Sequence, residues 1–481
     1  MKAPPALSAA SLCAFSAAEI AQLVRSREVS AVEVMQQYAE RIQKLNPVLN
    51  AFAHLDLDRA FAEAKRIDSD GCHDSTESTL LGVPVTIKSC IDVKGLRCAA
   101  GSRLRSDYIA ASDAPVVARL KKAGAIVIGN TTTPEMLMAY HTKNDIHGRT
   151  NNPWDLSRTP GGSSGGEAAA ISSGMSAGGL GSDGGGSIRV PAHFTGICGL
   201  KPTPGLVPST GHYPACVGPF SLIGVVGPMA RTVKDLQLLF AAVVGYGPAD
   251  PASLPTMVKV LDRKHVKQLR IGYYEDDGES YPGAETTAAV RAAAGALRSA
   301  GFIVEAFRPK GLADARELWT VIFVEAGALL LATLVRGRED EVNPNTREFL
   351  ALAAARPALT GERLLGALIE QDQLRMRVEE QMRDYPILLA PVCSMPAFPH
   401  QDAGWGPEHE ADYLRTMTYC QHYNLLGNPA ATVPITQSPE GLPIGVQIIG
   451  RPCHDHEVLA IAEALNEQYK WREPPLCRAM A

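Results

Sequence analysis

No C-x-x-C pair occurs in this 481-residue sequence. Its ten cysteines lie scattered from Cys13 to Cys477, a spacing that fits neither a zinc knuckle nor a disulfide framework. They read as reduced, mostly buried thiols, as expected of a cytoplasmic protein. A G-x-x-x-x-G-K-S/T phosphate loop, an H-E-x-x-H zinc helix and an S-x-x-K motif are also missing. No block of basic residues is present. Lys+Arg 46 against Asp+Glu 51 leaves a net charge of −5, which argues against a nucleic-acid partner. Nor does any apolar run reach the ~20 residues that a helix needs to cross a bilayer. The most apolar run, Val321 to Val335, contains Glu325 and Gly327 and predicts a buried helix or a pocket wall. The chain does have 46% hydrophobic and 20% charged residues, a balance suited to a soluble protein with a large core.

The stretch Met1 to Ala18 has the small residues of a secretory leader, but Ser16-Ala17-Ala18-Glu19 forms a capping box that opens a helix over Glu19 to Arg27. A second capping box, Ser30-Ala31-Val32-Glu33, starts a helix predicted to stop at Asn46-Pro47. The amphipathic stretch Leu57 to Ile67 leads into a polar linker, Asp68 to Thr79. Val83 to Lys88 predicts a strand that ends on a lysine. Pro115 to Ala123 predicts a helix, Ala125 to Gly129 a buried strand, and Pro134 to Tyr140 a further helix. Leu312 to Arg383 reads as helical and Ile387 to Pro391 as a strand. Ala430 to Pro434 and Ile444 to Ile449 read as a closing strand pair, and His456 to Tyr469 as the final helix. Strands alternating with helices, without an internal repeat, indicate an α/β fold around one sheet.

The segment Gly161 to Gly186 is 26 residues long and has 11 glycines. Glycine is used where backbone must approach a neighbour closely or take positive φ. A flexible linker would not also carry the helix-forming run Glu167 to Ile171, so a Gly-rich turn feeding a helix is the better reading. Gly179 to Gly184 matches G-x-G-x-x-G, but no strong helix follows it. Gly161-Gly162-Ser163-Ser164-Gly165 matches the G-x-S-x-G nucleophile turn, although none of the later histidines His193, His422 and His454 is marked by its neighbours. A second serine, Ser187, sits in a second turn, Gly185-Gly186-Ser187, whose backbone N–H groups can face an oxyanion. Lys88 ends an apolar strand, a costly place for a charge, and a desolvated lysine can serve as a base at neutral pH.

On these residues the sequence resembles the amidase signature family of serine amidohydrolases. The resemblance runs from about Ser16 to Tyr469. It is densest at Lys88, at Pro160 to Gly166 and at Gly181 to Arg189, with 75 residues from Lys88 to Ser163 and 24 from Ser163 to Ser187. It implies a single α/β/α amidase domain over 1–481, with a large mixed sheet covered by helices on both faces. A helical lead-in would span about 16–68, a catalytic core about 80–245 and a helical pocket insertion about 310–385. It further implies a Ser–cis-Ser–Lys triad: Ser187 as nucleophile, Ser163 as proton relay after a cis peptide, and Lys88 as base. The oxyanion hole would be the N–H groups of Gly184, Gly185, Gly186 and Ser187. Ser164, Asp183 and Arg189 would support the site, the last two either as braces of the turn or as an ordinary structural ion pair. The family commonly has Thr, Val or Ile where this chain has Gly184, a departure expected to loosen the turn or widen the pocket. No metal or organic cofactor is implied.

Two features bear on the substrate. In the glutamyl-tRNA amidotransferases, the glutamine-hydrolysing A subunit should carry an Asp seven residues before Asn424-Leu425-Leu426-Gly427, to hold the substrate's ammonium. This chain has Met417 there. Glu167 also resembles the fatty-acid-amide-hydrolase side of the family. The expectation is therefore a stand-alone amidase, a monomer or homodimer without nucleic-acid partners. It would act on small-molecule acyl or aryl amides, with esters and carbamates (urethanes) sharing the chemistry. Leu318 to Leu334 and the segment around Trp405 and Tyr413 are candidates for the pocket wall. A catalytically inactive amidase-fold binding protein is the alternative of another class; the three intact triad positions argue against it. Cys453, His454 and His456 are crowded into four residues, match no common metal spacing, and read as a loop before the last helix with Asp455 as its N-cap.

Overall fold

Eleven strands share one mixed sheet in the computed structural model, which describes residues 12–69, 78–255, 263–400 and 413–480. They are β1 Phe52–Leu55, β2 Pro84–Lys88, β3 Ile126–Thr131, β4 Gly178–Asp183, β5 Cys198–Lys201, β6 Val225–Ala230, β7 Arg270–Tyr273, β8 Ile303–Ala306, β9 Ile387–Pro391, β10 Ala430–Gln437 and β11 Pro443–Gly450. Their order across the sheet is β1-β3-β2-β4-β6-β5-β10-β11-β9-β7-β8. β2 runs parallel to β3 and β4, and β7 runs parallel to β8 and β9. The remaining neighbours are antiparallel.

Alternating side chains show how both faces are covered. On β9, Ile387 and Leu389 join the cluster of Ala289, Val290 and Leu297 from the helix Ala284–Ser299. Leu388 and Ala390 point the other way, to Trp319, Tyr419 and Tyr423. Ile448 and Ile449 on β11 divide in the same manner. Two-sided burial explains why these strands read as continuous apolar runs.

The capping boxes hold as read: Ser16 with Glu19 opens Ala17–Arg25, and Ser30 with Glu33 opens Ala31–Leu49. The second helix nevertheless runs through Pro47. Pro47 lacks an N–H for the Gln43 carbonyl and its ring crowds that carbonyl, yet the last turn still closes through the Asn50 N–H to the Asn46 carbonyl at 2.7 Å, with Asn50 left-handed at φ 52°. The helix expected at Pro134 to Tyr140 is only a 3-10 turn, Glu135–Leu137, in which Met136 and Leu137 take positive φ. The helix near the C-terminus is Asp455–Asn466, and a shorter one, Pro475–Ala479, follows it. Its N-cap is His454, not Asp455, whose carboxylate instead accepts from the Thr203 N–H and hydroxyl at 2.8 and 2.6 Å. Most of the linker Asp68 to Thr79 lies outside the described residues, as do Cys72 and Trp405.

The apolar run at Val321 is part of a longer helical stretch, Leu312–Val335, with a π-helical turn at Thr320–Glu325. Among the described residues it is the one helix long and apolar enough to cross a membrane. In its most apolar window 61% is buried inside the protein, as in a core helix.

Candidate active site

Lys88 is the last residue of β2, a strand buried throughout, and its own side chain is inaccessible to solvent. Its Nζ donates to Ser163 Oγ at 2.6 Å and to Ser182 Oγ at 3.0 Å. Ser182, not Ser164, is thus the second hydroxyl on the lysine. Ser164 opens the helix Gly165–Ser172 and turns its hydroxyl back to the Ser182 carbonyl at 3.3 Å. Burial lowers the Lys88 pKa from 10.5 to about 8, against the opposing pull of Cys90, Asp183 and Glu167. No acidic residue lies within three positions of Lys88 in sequence; the fold brings Asp183 and Glu167 to it. Glu167 is itself pushed up to about 8 by burial, against the hydroxyls of Thr86 and Thr131 that donate to it.

Ser163 follows a cis Gly162–Ser163 peptide. A Cβ on Gly162 would stand 2.5 Å from the His141 carbonyl, so no other residue fits that turn without moving backbone. Thr133 Oγ1 donates to the Ser163 carbonyl at 2.8 Å. The Ser164 N–H donates to the Ser187 carbonyl at 3.2 Å and ties the two serine turns together.

From Thr159 to Thr203 the chain is buried everywhere except at Gly184 and Ser187. Those two residues open onto a cavity that Ser163 and Ser182 also line. Asp183 organises the turn from beneath. Its carboxylate accepts from the Gly186 N–H at 2.7 Å, the Ile188 N–H at 3.1 Å and both Nε and Nη2 of Arg189 at 3.0 Å. Burial alone would raise its pKa, but the Arg189 guanidinium holds it far below the usual carboxylate range. Asn424 also donates to it at 3.0 Å, and Arg189 is shared with Asn424, Gln447 and the Cys420 carbonyl. The pair is therefore both an ion pair and a brace. Asp183→Ala would leave a buried guanidinium unpaired and is expected to destabilise the fold by ~3–5 kcal/mol, read from denaturant unfolding.

The Gly186 N–H is committed to Asp183. This narrows the expected oxyanion donors from Gly184, Gly185, Gly186 and Ser187 to the first two and Ser187. Two aromatic residues aim the backbone here. Trp319 Nε1 donates to the Gly184 carbonyl at 3.0 Å, and the Tyr140 hydroxyl donates to the Gly185 carbonyl at 2.7 Å. In a trans peptide the carbonyl and the next N–H point opposite ways, so anchoring the Gly184 oxygen aims the Gly185 N–H. Trp319→Phe should lower kcat roughly 10-fold with little change in KM, the pattern of a donor misaimed only in the transition state.

Gly184 does not widen the pocket. A Cβ there would meet the Phe323 ring at 2.7 Å, so the ring already fills the space. Phe323 stacks on Trp319 with centroids 4.7 Å apart. Gly184→Ala should cost about 1–3 kcal/mol by overpacking, and Phe323→Leu in the same chain should recover part of it. A double-mutant cycle on thermal stability measures the coupling; additivity would refute the contact.

Ser187 lies where two cavities meet. The first is walled by Leu137, Met138, Phe220, Val225, Phe323 and Leu331. The second shares Leu137, Met138 and Phe323 and adds Tyr140, Trp319, Phe349, Tyr413 and Leu414. The helix Leu312–Val335 therefore supplies a pocket wall, as does Tyr413. None of His193, His422 and His454 lines either cavity. Burial lowers His193 and His422 to about 4. The histidine that lines the first cavity, His212, donates from Nδ1 to the Pro214 carbonyl at 2.7 Å and turns Nε2 to Cys90 Sγ at 3.4 Å. His212 and Tyr140 were not legible as site residues because each arrives from a distant element. Ser182 lies inside the Gly181 to Arg189 motif and Trp319 inside the expected pocket wall, but their contacts to Lys88 and Gly184 span 94 and 135 positions and no local pattern shows them.

The fold is that of the hydrolases acting on amide C–N bonds. The amidase family model matches residues 33–459, and the chain belongs to that family. It is 30% identical over 492 residues to fatty-acid amide hydrolase 2 of Homo sapiens, covering 95% of this chain and 90% of that protein. Against the indoleacetamide hydrolase of Bradyrhizobium diazoefficiens it is 32% identical over 459 residues, covering 94% and 86%. Glutamyl-tRNA(Gln) amidotransferase chains are also among its relatives; that of Bdellovibrio bacteriovorus is 33% identical over 487 residues, covering 94% and 96%. A solved structure of a fatty acid amide hydrolase superposes with a TM-score of 0.86 at 26% identity, covering 95% of this chain and 86% of that one.

Proposed function

We propose that this enzyme hydrolyses linear amides with apolar acyl or aryl groups through an acyl-enzyme on Ser187. The observation that carries the reading is the buried 2.6 Å contact between Lys88 and Ser163, at the wall of the cavity onto which Ser187 opens. Neutral Lys88 takes the Ser163 proton as Ser163 takes that of Ser187. Ser187 Oγ attacks the carbonyl carbon, and the N–H groups of Gly184, Gly185 and Ser187 hold the oxyanion. The relay returns a proton to the leaving nitrogen as the C–N bond breaks. Water then attacks the ester along the same relay and releases the acid.

The apolar substrate follows from what faces Ser187. The cavity walls are aliphatic and aromatic, and the Asp183 carboxylate is taken up by Arg189 and Asn424. Met417, where a glutamine-hydrolysing enzyme should have an aspartate, is buried in an apolar cluster with Tyr413 and Cys420. No carboxylate there meets a glutamine ammonium, which argues for a stand-alone amidase over a component of an amidotransferase. Residues 1–481 are read as one amidase domain. A panel of fatty amides, aryl amides, carbamates and glutamine tests the reading. An apolar amide should exceed glutamine in kcat/KM by ~100-fold or more, because a buried ammonium without a partner is strongly disfavoured. Equal or better turnover of glutamine would overturn it.

A further inference from the structure

Away from this site, three imidazoles converge on one carboxylate at the start of the helix Asp455–Asn466. Glu457 Oε1 lies 3.1 Å from His454 Nδ1, 3.4 Å from His265 Nε2 and 4.0 Å from His456 Nε2. Ligand atoms of His454, His456 and Glu457 all fall within 4.8 Å of one another. With bonds of ~2.0–2.1 Å, the ligand atoms of a tetrahedral zinc site stand about 3.3–3.4 Å apart. The three separations from Oε1 bracket that edge.

The His454–Glu457 contact holds part of the arrangement, but not with good hydrogen-bond alignment. His454 Nδ1 is shielded from solvent and makes no hydrogen bond of acceptable geometry, although it sits 3.1 Å from the carboxylate. Two ligand atoms of one ion face each other in this way. The Glu457 side chain is only 5% exposed. Among the described residues its ion-pair partners are the three histidines, with no Lys or Arg. A carboxylate so buried needs a cation beside it.

The local fold holds the group in place. Asp455 is tied to Thr203, which fixes the first helical turn, and His454 and Glu457 fall three residues apart on one face. His265 comes from the helix Arg263–Gln268; its ring is 56% exposed and has room to rotate. Neither Cys453 nor His265 belongs to the set of ligand atoms that all lie within 4.8 Å of one another; His265 joins through its 3.4 Å contact with Glu457. None of the four residues lines the Ser187 cavities.

We propose that His265, His454, His456 and Glu457 form a site for one divalent transition-metal ion, with zinc the best match to three imidazoles and a carboxylate. The ion would pin the helix Arg263–Gln268 to the helix Asp455–Asn466, a structural role apart from amide hydrolysis.

The test is calorimetric titration of the chelator-treated, dialysed full-length protein with Zn2+, alongside thermal unfolding. One ion per chain should bind, and Tm should rise by several degrees in excess zinc, as for any ligand selective for the folded state. Co2+ in its place should show the intense visible absorption of a four-coordinate site. Glu457→Gln and His456→Ala should weaken binding by ~100-fold or more, since even outer groups around a metal are worth 10–100-fold. His265→Ala, at an exposed position that leaves folding intact, should weaken it at least about 10-fold. Amide hydrolysis should be the same with and without the ion. Absence of saturable binding by the wild-type chain, or binding unchanged in His265→Ala and Glu457→Gln, would overturn the proposal.

Discussion

Ser187→Ala is expected to lower kcat by roughly 10⁴–10⁶-fold, the range seen when a nucleophile is removed and only binding and the oxyanion donors remain. The fold should hardly notice. Ser187 is one of two residues between Thr159 and Thr203 that reach a cavity without being buried. The tie between the serine turns uses its carbonyl, not its hydroxyl. Losing one partly exposed hydroxyl changes stability by only about 0.5 kcal/mol, so Tm should move by no more than ~2 °C. The measurement is turnover of an aryl amide, with a fluorophosphonate probe located by mass spectrometry. Wild-type turnover by Ser187→Ala, or a label on another serine, would show that the nucleophile is elsewhere. A wild-type chain that does not label would instead be the inactive binding protein.

Lys88→Ala should cost at least ~10³-fold in kcat/KM and should also erase a limb of the pH profile. The sign follows from the chemistry. The base is the neutral amine, so activity is lost as pH falls through the lysine's pKa. Burial brings that pKa down to about 8 from 10.5, with Cys90, Asp183 and Glu167 resisting. In the wild-type enzyme kcat/KM for a non-ionising amide should therefore rise with pH and level off above about 8. A histidine base, with a reference pKa near ~6.5, would have reached its plateau by neutral pH. Glu167 itself ionises only near 8, so Glu167→Gln removes a charge that raises the lysine in the upper part of the limb and should shift that part slightly to lower pH. Ser163→Ala should also lose orders of magnitude, and the Lys88→Ala, Ser163→Ala double variant should be hardly worse than either alone, because the two act as one relay. A profile that is flat from pH 6 upward, or that survives Lys88→Ala, would exclude the lysine as base.

Local rules were legible in the sequence. Ser16 and Ser30 cap helices because a hydroxyl and a glutamate three residues on satisfy each other's backbone donors, whatever the rest of the chain does. Ile387 to Pro391 is a strand because an apolar run that short suits two-sided burial. A lysine closing an apolar strand stood out because a charge is costly there, and two serines stood out because each sits in a glycine-rich turn and the two occur together. The failures were local signals overruled by distant contacts. The turn at Glu135–Leu137 is not a helix, and its last residue Leu137 and the following Met138 wall both cavities.

By itself, then, the sequence determined the α/β class, the helix starts, and the identities of Lys88, Ser163 and Ser187 as the residues to examine. Those features depend on neighbours within a few positions, where spacing alone dictates geometry. The tertiary structure decided how they are held. Ser182 reaches Lys88 across 94 positions, and Trp319 reaches Gly184 across 135. Phe323 fills the space that Gly184 leaves, and His265 approaches Glu457 from another helix. Such contacts are absent from any local pattern because they exist only once the sheet has assembled and burial has set which side chains meet.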